Sequence, residues 1–131
     1  MQAMGLRLTK AEEEVMLVLW RLKESIVRDV IKNLSDPSTP YTTVSTVIRI
    51  LEKKGFVDHK AVGTTYIYYP LLSKKEYLKV YLSGIVNNYF NGSSSGLVTF
   101  FARETNLDLN ELKELIDEVD NELDMEENSN E

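Results

Sequence analysis

At Gly55 the hydrophobic period of this chain changes, and that change restricts its possible folds more than any other feature. Before it, YTTVSTVIRILEKKGF (residues 41–56) carries Val44, Val47, Ile48 and Leu51 at helical spacing. After it, FVDHKAVGTTYIYYP sets β-branched and aromatic residues on both sides of a Val-Gly-Thr turn, which predicts a β-hairpin over about 56–69. A helix stopped by a glycine and followed at once by a hairpin has to share its apolar face with neighbouring elements.

Those neighbours precede it. Thr9-Lys10-Ala11-Glu12 is a capping box, a hydroxyl three residues ahead of a glutamate. It opens a first helix, about residues 10 to 22, with Ala11, Val15, Leu19 and Leu22 as an apolar stripe and Met16 and Trp20 beside it. Glu12, Glu13 and Glu14 fall in its first turn, where the helix dipole favours anions. IVRDVIKNL (26–34) predicts a short second helix capped by Ser25, and SDPSTP is turn chemistry. Two helices, a turn, a third helix and a hairpin make a winged helix-turn-helix over residues 1–72.

From Ser73 the chain changes character. Ser73 with Glu76 and Asp108 with Glu111 repeat the capping pattern, predicting a fourth helix over KKEYLKVYLSGIVNNYF and a sixth after Asp108. Between them NGSSSG reads as a linker with a helix cap and LVTFFARE as a fifth helix. Leu109, Leu112, Ile116, Val119 and Leu123 form a narrow helix–helix seam. The fold class is thus mainly α with a small β-hairpin wing, the winged helix-turn-helix being followed by a three-helix C-terminal region over 73–124 and an acidic tail over 125–131. Three helices of this length cannot bury so much apolar surface alone. Homodimerisation through Leu78, Leu82, Ile85, Tyr89, Leu97, Phe101, Leu112, Ile116 and Val119 is the economical solution; folding back on the chain's own winged helix is the alternative.

Charge divides along the same line. The net charge is −6, yet residues 1–72 sum to +2 and residues 73–131 to −8. A mildly basic head on an acidic body points to a polyanion as the head's partner. The outward face of the third helix fits that partner. Thr42, Thr43, Ser45 and Thr46 are short enough for close approach to base edges, Arg49 lies a turn further, and Lys53, Lys54 and Lys60 suit phosphates. Because this helix surface lacks an aromatic anchor, a winged-helix protein-interaction module is the alternative rather than the leading reading.

Catalysis finds little support. There is no cysteine, no Gly-rich phosphate loop and no nucleophile with a plausible base. The single histidine, His59, sits in the first hairpin strand with no second ligand type nearby and reads as structural, so no metal or other cofactor is expected. No apolar run is long enough to span a membrane and the N-terminus lacks a signal-peptide core, which predicts a soluble, cytoplasmic protein.

LTKAEEEVMLVLW, TTVSTVIRILEKKGFVDHKAVGTTYIYYPLLSKKEY and NGSSSGLVTFFARETNLDLNELKEL, in that order, resemble the BlaI/MecI penicillinase-repressor family over about residues 7 to 123. The resemblance implies a bacterial repressor that binds palindromic operators in double-stranded DNA as a homodimer held by its C-terminal helices. It assigns base reading to Thr43, Ser45, Thr46 and Arg49, and places the wing around Gly63 and Thr64 near the backbone or minor groove. Family members controlled by a membrane sensor protease are cut between an asparagine and a phenylalanine in the fifth helix; the pair at that place here is Phe100-Phe101, a departure that leaves such a protease one route of release beside a small effector or a partner protein. The chain departs from the family's frequent glycine-arginine-x-tyrosine wing with Gly63-Thr64-Thr65-Tyr66, and it lacks the cysteine cluster of copper-sensing relatives.

Overall fold

Thr9 starts the first helix through both halves of a capping box. The Glu12 N–H donates to Thr9 Oγ1 at 3.2 Å, and the Thr9 N–H donates to Glu12 Oε1 at 2.9 Å. In this computed structural model, which describes residues 7–106 together with 110, 111, 113, 114, 117 and 118, that helix is α1, Lys10–Leu22. There follow α2 (Val27–Lys32), α3 (Tyr41–Lys53), an antiparallel hairpin of β1 (Val57–Val62) and β2 (Thr65–Pro70), α4 (Lys74–Tyr89) and α5 (Ser94–Thr105). The chain divides into two compact units, with the boundary between Lys74 and Lys75.

The first unit's core is made where three helices and the base of the hairpin meet. Val15, Met16, Val18, Leu19 and Trp20 of α1 are buried with Val27 and Val30 of α2, Val44, Ile48 and Leu51 of α3, and Phe56, Val57 and Tyr68. A large aliphatic or aromatic side chain buried this fully contributes about 1.5–3 kcal/mol. The inward face of α1 differs from the expected stripe at its start. Ala11 is exposed, whereas Glu12 is buried at 5% exposure.

Glu12 is tolerated in the core because Thr9 and Lys54 together satisfy it. Besides the two Thr9 bonds, Lys54 Nζ donates to both of its carboxylate oxygens at 2.9 Å, joining the start of α1 to the end of α3. Burial by itself pushes the Glu12 carboxyl up, but the Thr9 amide and the Lys54 ammonium outweigh it. The carboxyl is held below the ordinary glutamate value of 4.5.

The expected cap of α2 is absent. Ile26 occupies the N-cap position with no side-chain bond, and the helix spans less than the nine residues its apolar pattern suggested. Ser25 is recruited elsewhere: its N–H donates to Tyr68 O at 2.9 Å and its carbonyl accepts from Tyr68 N–H at 2.8 Å. Its hydroxyl, buried, donates to the Ile26 carbonyl at 2.8 Å. The backbone before α2 thus pairs with the outer edge of β2. The turn into α3 is closed by Asp36, which accepts from the Ser38 N–H, and by Glu14, which accepts from the Ser35 N–H and hydroxyl at 2.7 Å.

Gly55 ends α3 as its place in the sequence predicts. It adopts φ +88°, with Phe56 N–H donating to Leu51 O and Gly55 N–H to Glu52 O, a Schellman closure. The hairpin then runs in register from Val57 opposite Pro70 to Val62 opposite Thr65, around a two-residue Gly63–Thr64 loop with Gly63 at φ +64°. Trp20 Nε1 donates to Leu72 O at 2.9 Å and fixes the chain leaving the wing to α1.

In the second unit α4 closes onto the α5 segment through Gly92, whose N–H donates to Val86 O at φ +80°. Ser93 caps α5 by accepting the Gly96 N–H at 3.0 Å, so the helix begins at Ser94, earlier than the apolar run LVTFF suggests. Val80, Tyr81, Leu82, Tyr89, Val98, Phe100 and Phe101 are all exposed, and α5 buries no residue. Leu109, Leu112, Ile116, Val119 and Leu123, the Asp108 cap and the tail 125–131 lie outside the described residues.

The Glu12 node makes a pH-dependent prediction. Glu12→Gln leaves Lys54 facing a neutral amide and should cost about 1–3 kcal/mol in urea unfolding at neutral pH. The folded-state pKa lies below the unfolded one, so this stabilisation is complete above the ordinary glutamate value of 4.5 and is lost as pH falls through the folded value. The stability gap between wild type and variant should therefore narrow under acid. A gap that stays constant down the acid limb would remove Glu12 from this role.

Candidate nucleic-acid interface

With Val44, Ile48 and Leu51 turned into the core, α3 presents Tyr41, Thr42, Thr43, Thr46, Arg49 and Lys53 to solvent, and half-exposes Ser45. Two internal bonds set this face. The exposed Thr46 side chain donates its hydroxyl to Thr42 O at 2.8 Å, which leaves the oxygen's lone pairs able to accept. Arg49 Nη2 donates to Ser45 Oγ at 3.2 Å, which steers the guanidinium along the helix toward its N-terminal half. An arginine partly fixed in this way loses less side-chain freedom on meeting a base edge or phosphate.

The face borders a concavity of about 500 Å³. Tyr41, Ser45 and Arg49 form one wall, Arg28 at the start of α2 a second, and Thr64, Thr65 and Tyr66 of the wing a third. Arg28, Arg49 and Lys53 are exposed, and among the described residues no carboxylate pairs with any of them. The concavity is therefore cationic, although the whole chain is acidic.

Of the residues singled out in the sequence, Thr42, Thr43, Ser45, Thr46 and Arg49 lie on one helix face, and Thr64 faces the same concavity from the wing tip. Lys53 is exposed at the end of α3. Two lysines are engaged within the protein instead. Lys54 is bound to Glu12 as described, and Lys60 Nζ lies 2.9 Å from Glu24 Oε1, which raises the Lys60 pKa.

Sequence reasoning missed Arg28, Tyr41 and Tyr66. Arg28 belongs to a different helix, and only the tertiary fold brings it beside Arg49. Tyr41 and Tyr66 are 52% and 50% exposed, so the surface does carry aromatic side chains, contrary to the expectation for this helix. His59 is not isolated either: Glu52 and Asp58 lie beside it.

A helix-turn-helix with a two-stranded wing, presenting a hydroxyl-rich face between cations, defines the nucleic-acid-binding winged-helix class. Comparison with known proteins gives the family. The chain belongs to the penicillinase repressor family, whose model matches residues 8–121. It is similar to the penicillinase repressor of Bacillus licheniformis, with 31% identity over 119 residues, 88% of this chain and 93% of that protein. The methicillin resistance regulatory protein MecI of Staphylococcus aureus (strain N315) is 28% identical over 109 residues, 82% of this chain and 89% of MecI. Among solved structures, the solution structure of the DNA binding domain of the repressor BlaI matches with a TM-score of 0.48 at 35% identity, covering 54% of this chain and 88% of that one.

Proposed function

We propose that this chain is a transcriptional repressor that binds a palindromic operator in double-stranded DNA as a homodimer. The observation that carries the reading is the α3 face of short hydroxyls, with Arg49 steered by Ser45, opening onto a cationic concavity closed by the wing. In this reading Thr42, Thr43, Ser45, Thr46 and Arg49 enter the major groove. Arg28, Lys53 and the wing around Thr64 meet the phosphate backbone on either side. Lys54 and Lys60 act at one remove, holding elements together through Glu12 and Glu24.

Family membership supports the repressor role, and the exposed apolar side chains of α4 and α5 support a second copy as the partner of the C-terminal unit. Dimerisation would supply the avidity of two half-sites. Release by a membrane sensor protease at Phe100-Phe101 belongs to the same reading. Both phenylalanines are exposed but lie inside α5, so a protease requiring an extended strand must first unwind that helix. The protein would act in the cytoplasm, where its operator is.

Exposed Tyr41 and Tyr66 favour one competing reading, a winged-helix module whose concavity docks on a protein. Gel-shift titration with the DNA upstream of its own gene separates the two. A shift that survives nonspecific competitor supports the repressor, and failure to shift any such fragment supports the docking module.

Arg49→Ala should weaken operator binding by about 1–3 kcal/mol per half-site, with discrimination between operator and nonspecific DNA reduced. Arg28→Ala should instead weaken binding on all sequences and make the salt slope shallower by about 1 per half-site. If each subunit neutralises roughly three to four phosphates, the wild-type slope of log affinity against log salt should be roughly −5 to −7. Equal loss on all sequences for Arg49→Ala would reduce it to a phosphate contact.

Leu82→Asp tests the dimer. Its side chain is exposed on α4, so the substitution leaves the described fold intact while charging the proposed interface. Sedimentation should show a monomer and operator affinity should fall; a variant that remains a dimer would move the interface elsewhere.

A further inference from the structure

The last turn of α3 and the first strand of the wing bring together three metal-capable side chains. His59 Nδ1 lies 2.5 Å from Glu52 Oε2 and 4.0 Å from Asp58 Oδ1. One ligand atom from each of the three falls within 4.8 Å of the others. The donors are mixed, one imidazole nitrogen and two carboxylates, a set that suits borderline divalent ions better than the all-oxygen sites of magnesium or calcium.

Asp58 and His59 are adjacent on one strand, and the fold brings Glu52 to them from a different element. Glu52 belongs to α3 and the other two to β1, and the Gly55 closure holds the two elements at a set distance. The imidazole is stacked on Tyr66 with ring centroids 4.2 Å apart and an interplanar angle of 23°, and Tyr68 flanks it at 5.5 Å. Among the described residues no lysine or arginine pairs with Glu52 or Asp58, and His59 is their basic neighbour.

We propose that Glu52, Asp58 and His59 form a binding site for a divalent transition-metal ion of the zinc class. A tetrahedral ion with ligand bonds of about 2.0–2.2 Å sets its donor atoms about 3.3–3.6 Å apart. Binding requires the Glu52–His59 separation to open toward that value and the Asp58–His59 separation to close toward it, with Asp58 Oδ1 turning from the His59 N–H that it accepts at 2.7 Å. Water fills the fourth position. The ion takes the place of the Glu52–His59 hydrogen bond and ties the C-terminal turn of α3 to β1. Metal uptake is measured on the protein without DNA, so its outcome does not depend on the proposed function.

The test is isothermal titration of the EDTA-stripped full-length protein with zinc chloride, alongside cobalt chloride followed by visible absorbance. The expected result is one saturable zinc per chain and the absorption bands of tetrahedral cobalt. Affinity should fall by at least about tenfold in His59→Gln and Glu52→Gln. Asp58→Asn, at the most exposed of the three positions, should weaken binding in the same direction; it decides the matter if either other variant fails to give the wild-type circular dichroism spectrum without metal. No saturable uptake overturns the proposal. So does uptake that the folded variants leave unchanged, which would place the ion on the acidic C-terminal half.

Discussion

The carboxylate of Glu12 is the point on which the first unit is organised. It satisfies the start of α1 through Thr9 and, in the same side chain, holds the ammonium of Lys54 at the end of α3. A buried carboxylate is tolerated only when its charge is matched and its lone pairs are occupied. Both conditions are met here, by Thr9 three residues away and by Lys54 from the far end of the unit's helical core. The arrangement sets how α3 lies against α1, and every outward-facing residue of α3 takes its direction from that. The wing follows, because Gly55 and Phe56 lead directly from the anchored end of α3 into β1.

The acidity of the chain and the cationic concavity are compatible because charge is sorted twice. It is sorted between the two halves of the sequence, and again within the first unit, where Lys54 and Lys60 are consumed by carboxylates and Arg28, Arg49 and Lys53 are not. At moderate ionic strength exposed charges further apart than about 8–10 Å are largely screened. A partner in the concavity therefore responds mainly to the local arginines, and net charge is a poor guide to what this surface attracts.

Elements whose signals are local were legible in the sequence. The Thr9 box, the α3 periodicity, the Gly55 stop and the Gly63 loop each depend on residues within a few positions, and each element forms where those residues place it. Ser25 was misread because its pattern also fits a cap, and only the arrival of Tyr68 gives its backbone a better partner. Ala11 and Glu12 exchange the expected inside and outside because Lys54 is far away in sequence yet adjacent in space. The same reason hid Arg28, Tyr66 and the surroundings of His59. Hydroxyl spacing on one helix could be read directly, whereas a concavity assembled from three elements could not.

The backbone pairing of Ser25 with Tyr68 bears on how such a chain can vary. Tyr68 faces His59 across the hairpin on one side and Ser25 on the other, so the base of the wing is in effect three strands wide for a single residue. Beyond that point Ala61 to Tyr66 are exposed and held by the hairpin's own pairing, with Tyr66 stacked on His59. Length and composition at the tip are then nearly free of the core's requirements, while the segment before α2 is held in step with the sheet. A changed wing tip would therefore leave in place the fold that carries it.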